Sequence, residues 1–191
     1  MVTDTLKRSI EDLLNMPAER LNDRLPSTLE QIQKFGIGKL LEEYPDLLTK
    51  LLKRLKEMDS AKLLSRVSNV SDKLMDLLWE GIASRSVQSK DMKSVLEKAE
   101  RDFHVNFEAS DSPFKHYFIV EKGKIMGRSG LLHFKDEDFR FMGPTGVLIE
   151  LLIGDLPMGL GNLELQTSGH PGWVSRISPV IQEIGKLLRG A

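Results

Sequence analysis

At 191 residues and 21.6 kDa, with 40% hydrophobic and 29% charged residues, the chain has the composition of a globular protein large enough to bury a real core. A formal net charge of -1 gives no bulk attraction to polyanions, so nucleic acid is not expected as a partner. Cysteine is absent, which excludes disulfides, thiolate nucleophiles and thiolate metal sites.

The first residues carry Asp4 and Glu11 among apolar positions and lack the basic start, apolar run and small-residue cleavage site of a secretory leader, so a soluble, cytoplasmic protein is expected. The longest uncharged apolar run, residues 143–149, is far short of the roughly 20 residues that span a bilayer. Leu6, Ile10, Leu13 and Leu14 recur at helical spacing until Pro17 ends the pattern. After Pro26, Ser27 and Glu30 have capping-box spacing with Leu29, Ile32 and Leu40 on one stripe, which predicts the start of a second helix. Gly36 and Gly38 each cost about 1 kcal/mol against alanine in its middle, leaving a break or a tight packing contact. Pro45 marks the next boundary, because the residue before a proline is pushed out of the helical region.

Leu47, Leu48, Leu51, Leu52, Leu55 and Met58 then line one helical face, opposite Lys50, Lys53, Arg54, Lys56 and Glu57. Leu63, Leu64, Val67, Val70, Leu74, Leu77, Leu78 and Ile82 continue the period, so residues 1–83 read as an all-helical region. Residues 84–90 are polar, serine-rich and without period, and are read as a linker.

Beyond it the pattern changes, and residues 91–191 read as an α+β domain. Met92, Val95, Leu96 and Ala99 predict one helix. Val105 and Phe107 alternate with polar residues, and Phe118 and Val120 alternate with Tyr117, Ile119 and Glu121, which predicts strands. Lys122-Gly123 marks a turn, and Leu132 with Phe134 and Phe139 with Phe141 flank the charged tip of residues 135–138 as a hairpin. Residues 147–153 form an apolar helix stopped at Gly154, and Leu163 and Leu165 alternate with polar residues as a strand. After a turn at residues 169–172, the spacing of Val174, Ile177, Val180, Ile181, Ile184, Leu187 and Leu188 predicts a final amphipathic helix. Short turns between neighbouring strands favour an antiparallel sheet with helices on one face.

With these residues in place, the C-terminal half resembles the sterol carrier protein 2 family. The features that carry the resemblance are the helix end at Leu148, Leu151, Leu152 and Gly154, then Pro157, then Gly161, Leu163 and Leu165 in a strand closed by Gly169. The resemblance covers roughly residues 91–189 and implies a small twisted sheet covered by helices over a lipid-sized tunnel. It further implies an apolar ligand, a fatty acyl chain or sterol-like lipid, carried without chemical change, with Phe134, Phe141, Leu148, Leu151, Leu152, Leu163 and Leu165 as the binding residues.

No constellation for catalysis accompanies it, and neither a cofactor nor a metal is expected. His104, His116, His133 and His170 are scattered and lack metal-ligand spacing, so they read as exposed or hydrogen-bonding residues. Gly36-Ile37-Gly38-Lys39 lacks the preceding strand, the glycine spacing and the Ser or Thr of a phosphate loop. Asp136-Glu137-Asp138 reads as a solvated turn. The same apolar residues could equally pack as a solid core, in which case the leucine stripe of residues 47–58 would serve a protein partner or self-association. The two halves are expected to be separable units joined near Ser86, with the helices free to cover the mouth of the lipid domain.

Overall fold

The computed structural model describes residues 4–57, 68–99, 101–154 and 164–189. Its helical part opens with α1 (Asp4–Asn15), which buries Leu6, Ile10 and Leu13 along one face as their spacing requires. The second helix, α2 (Ala18–Phe35), starts nine residues earlier than its capping-box signal and contains Pro26. Ser27 is therefore inside the helix, and its hydroxyl donates back to the Arg24 carbonyl at 2.9 Å. Gly36, with φ 95°, breaks the chain between α2 and α3 (Ile37–Glu43).

The leucine stripe lies on α4 (Leu47–Glu57), where Leu47, Leu48, Leu51 and Leu52 are all buried. Leu55 and Met58 fall outside the residues whose side chains are described. α5 (Ser68–Ser86) follows, and α6 (Lys90–Lys98) is capped by Ser89, whose hydroxyl accepts the Met92 N–H at 3.1 Å. Residues 84–90 are thus the last turn of α5, a tight connection and a helix cap. They are not the irregular linker that their polarity suggested, because a serine-rich segment can satisfy helix ends as readily as it can form coil.

The sheet comprises β1 (Phe103–Ala109), β2 (Lys115–Glu121), β3 (Lys124–Ser129), β4 (Phe139–Gly143) and β5 (Gln166–Gly169), in the order β3-β2-β1-β4-β5. It is mixed. β1 and β4 run parallel, with Phe107 opposite Phe141, whereas the other three pairings are antiparallel. The expected hairpin around residues 135–138 does not form, since only its second arm is a strand. Instead Asn106 behaves like a strand partner for Leu132: its Oδ1 accepts the Leu132 N–H at 2.9 Å and its Nδ2 donates to the Leu132 carbonyl at 3.1 Å. This bond pair lays residues 131–138 across the outer face of β1, and the Asp138 carboxylate fixes the other end by accepting the His104 N–H at 2.9 Å.

Phe103, Val105, Phe107, Phe118, Val120, Ile125, Phe139 and Phe141 cover the inner face of the sheet, and all are buried. Against them packs α7 (Thr145–Ile153), in which seven of the nine residues are buried. A helix apolar on every side has to lie between layers. α7 does so, with β1 and β4 on one side and α4 and α8 (Val174–Arg189) on the other. Its first turn is held by Asp111, which accepts both the N–H and the hydroxyl of Thr145, at 2.9 and 2.6 Å. Its last turn ends at Gly154 in the left-handed conformation, where Arg189 donates to the Ile153 carbonyl.

The N-terminal helices are tied to the same layers. Thr49 donates to the Leu188 carbonyl, and Arg85 donates to the carbonyls of Leu187 and Leu41. One contiguous hydrophobic cluster runs from Leu6 to Leu188. Among the described residues, no helix is long and apolar enough to cross a membrane.

Candidate functional site

The residues that resemblance singled out do not form one site. Phe141, Leu148, Leu151 and Leu152 lie together in the core, each no more than 2% exposed. Leu165 is partly buried against that core just before β5, and Leu163 lies outside the described residues. Phe134 is 65% exposed, in the segment that crosses the outer face of β1, with its ring against His133. Its alternation with Leu132 was a false strand signal, because Asn106 rather than a neighbouring strand supplies the hydrogen bonds there.

A groove of about 600 Å³ opens elsewhere, where α5 lies along the edge strand β3. Trp79 and Ala83 of α5 and Ile119 and Met126 of the sheet give it apolar walls, while Asp76, Glu80 and Arg128 supply charge. Gly127 sets how its Trp79 wall is seated. A Cβ at that position would lie 2.3 to 2.7 Å from three carbons of the Trp79 indole, so the ring is seated directly on the backbone of β3. The amide of Ser129 donates to Asp76 at 2.8 Å and holds the helix to the strand two residues further on. Gly127→Ala is expected to cost about 1–3 kcal/mol, the usual range for overpacking, and to lower the melting temperature by roughly 2–4 °C per kcal/mol. Thermal unfolding followed by near-UV circular dichroism checks this, and an unchanged melt would show that the ring is not so tightly seated.

Behind Trp79 lies His116, with no exposed surface. Alternation along β2 places it on the inner face with Phe118 and Val120. Its ring stacks on Phe107 at 4.4 Å between centroids, meets Phe114 edge-on at 5.1 Å, and lies 5.6 Å from Trp79. Burial alone pushes the imidazole down to about 3, so it is neutral at ordinary pH. The Trp79 Nε1–H donates to its Nδ1 at 3.3 Å. Indole nitrogen can only donate, so Nδ1 is the bare nitrogen and the ring proton is on Nε2. Among the described residues, that Nε2–H has no hydrogen-bond partner. Leaving a buried donor unpaired costs about 1–3 kcal/mol, so the position needs a reason.

Trp79 carries no signal in the sequence, and His116 is one of four scattered histidines that read as exposed or hydrogen-bonding; it is buried and hydrogen-bonded. Strand alternation was the available signal for His116, since it shares a parity with Phe118 and Val120. On the outer face, Arg140 binds Glu137 at 2.8 Å and Glu108 at 2.9 Å, and Lys115 closes on Glu108 at 2.9 Å. Hydrogen bonding from Lys115 holds the Glu108 carboxyl below its usual range, and hydrogen bonding to Glu137 raises Arg140. His104 lies between Glu121 and Asp138, at 3.3 and 3.5 Å. Among the described residues, no three of His, Asp and Glu converge as metal ligands.

No family model and no curated protein matches the chain. Among solved structures it is similar to a sterol carrier protein 2 from Yarrowia lipolytica in its apo form, at 15% identity and a TM-score of 0.43. That match covers 67% of this chain and 99% of the other.

Proposed function

We propose that this protein binds one apolar or amphipathic small molecule, of fatty acyl or sterol-like size, without transforming it. The observation that carries the reading is the groove between α5 and β3, whose volume of about 600 Å³ falls within the usual range for small-molecule sites. Its walls are apolar with a few charged groups, the pattern of a site that holds a ligand chiefly by burial and orients it by a few polar contacts. The sequence resemblance from Leu148 to Gly169 points to the same ligand class. A role as a scaffold that associates through the leucine stripe is less favoured, because Leu47, Leu48, Leu51 and Leu52 are already buried within this chain.

Titration of the delipidated full-length protein with a pyrene-labelled alkane tests the reading. Saturation at one probe per chain with micromolar affinity is expected. Ala83→Trp, which fills the groove, is expected to weaken the probe at least about 5-fold, a loss of roughly 1 kcal/mol. Absence of saturable binding removes the reading, and full binding by the filled variant moves the site elsewhere.

A further inference from the structure

A second opening, of about 310 Å³, lies where α3 and the end of α8 meet the connection from α5 to α6, and it shares no lining residue with the groove. Arg85 spans it. Its guanidinium donates to the Leu187 carbonyl on one side and to the Leu41 carbonyl, at 3.3 Å, on the other, so two helix ends hold it across the pocket. Those carbonyls fix the group but carry no full negative charge, and among the described residues no carboxylate pairs with it. Asp46 acts on it from further off and is itself ion-paired to Lys50 at 2.8 Å. Burial lowers the pKa of Arg85, as expected of a cation short of water, although a guanidinium stays charged at ordinary pH. Its Nε–H takes part in neither carbonyl bond and is not sealed from solvent, so the cation has donors left for the pocket.

Further donors surround it. Ser89 lines the same pocket, and because its Oγ accepts the Met92 N–H, its own hydroxyl hydrogen remains to be given. Gln88 lines it too, with an exposed side chain that makes no hydrogen bond among the described residues. A fixed, partly buried guanidinium beside hydroxyl and amide donors is suited to an oxyanion. We infer that this pocket binds a small monocarboxylate, its oxygens on Arg85 and Ser89 and its apolar body against Leu41 and Leu187. Two features set that class. The volume is at the lower end of the usual range for small-molecule sites, so the ligand is compact. Glu42 lines the pocket without pairing with Arg85, so a second negative charge, such as a phosphate dianion carries, would be repelled. The inference stands or falls independently of any ligand in the α5–β3 groove.

The test is a titration of the ¹⁵N-labelled full-length protein at pH 7.5 and low salt, followed by NMR, with benzoate, its neutral analogue benzamide, and inorganic phosphate. Benzoate is expected to saturate with a Kd of roughly 1 mM or tighter and to move the Arg85 Nε–H and the Gln88 and Ser89 amides. Benzamide is expected to bind at least about 10-fold more weakly, the worth of a hydrogen bond to a charged group, and phosphate more weakly than benzoate. Two exposed positions then change the charge in opposite directions. Gln88→Glu is expected to weaken benzoate about 3- to 10-fold, and Glu42→Gln to tighten it about 3-fold, since each alters one charge a few ångström from the bound carboxylate. Arg85→Gln is expected to abolish binding; should it fail to fold for want of its two carbonyl bonds, the two exposed variants decide. If benzamide binds as well as benzoate, if phosphate binds best, if the shifts fall away from Arg85, or if the two charge variants do not move the affinity in opposite directions, the inference is overturned.

Discussion

A chain shortened to begin at Lys90 is expected not to fold. The cut removes α5, and with it Trp79, which is 1% exposed and seated on Gly127 of β3. Truncating one buried tryptophan to alanine costs about 3–5 kcal/mol, against a total stability of about 5–15 kcal/mol for an ordinary domain. Here Leu74, Met75, Leu78 and Ile82 leave with it, exposing the edge of β3. The same cut strips α4 from α7 and α8 and removes Thr49 and Arg85 from the Leu188 and Leu187 carbonyls. α7 is apolar on nearly every side, so one side of it would then face water. Far-UV circular dichroism, solubility and a thermal melt are the measurements. A soluble product with a cooperative transition would instead establish two separable units with a boundary near Ser86. The ligand titration repeated on that product would then show whether the helices contribute to binding.

The difference between that expectation and the sequence-level division has a physical source. Helical periodicity made α1, α4, α6 and α8 legible, because each has one apolar stripe that must be covered. It could not say what covers each stripe. Residues 84–90 have the composition of a connector, yet Ser89 uses its polarity to cap α6 and Arg85 uses its charge to bind carbonyls on two other helices. The strands β1 and β2 were visible as alternation. Their parallel neighbour β4 was assigned instead to a local hairpin, because short-range pattern favours the nearest partner and contains no trace of the distant one.

The candidate site was less legible than the fold. Phe141 and the α7 leucines were found because they are apolar and periodic, and the same property makes them ordinary core. Trp79 and His116 depend on a contact across 37 residues and on a glycine that admits an indole, neither of which is a pattern in sequence. Phe134 shows the converse. Its apolar side chain satisfied the alternation, but the hydrogen bonds of Asn106 with Leu132 decided the local backbone and left the ring exposed.

The burial of His116 predicts how the protein unfolds in acid. In the unfolded chain its imidazole titrates at 6.5, and in the fold burial lowers that to about 3. Between those values the unfolded state binds a proton that the folded state does not, so stability falls as pH falls. The contribution is fully present above the unfolded value, is lost through the window from 6.5 to about 3, and changes no further below it. The slope is about 1.4 kcal/mol per pH unit, which amounts to roughly 3 kcal/mol by about pH 4.5. Glu108, whose carboxyl is held below its usual range by hydrogen bonding from Lys115, adds its loss only at lower pH, because it stays ionised in both states until then. The upper part of the window therefore isolates the histidine. Urea unfolding measured at half-unit steps from about pH 7.5 to 5.5 should give this slope, and His116→Phe should reduce it by the full amount while leaving the steeper carboxylate loss at lower pH in place. Equal slopes in the two proteins would mean that His116 is protonated within the fold, and the neutral donor assigned to Nε2 would be lost with it.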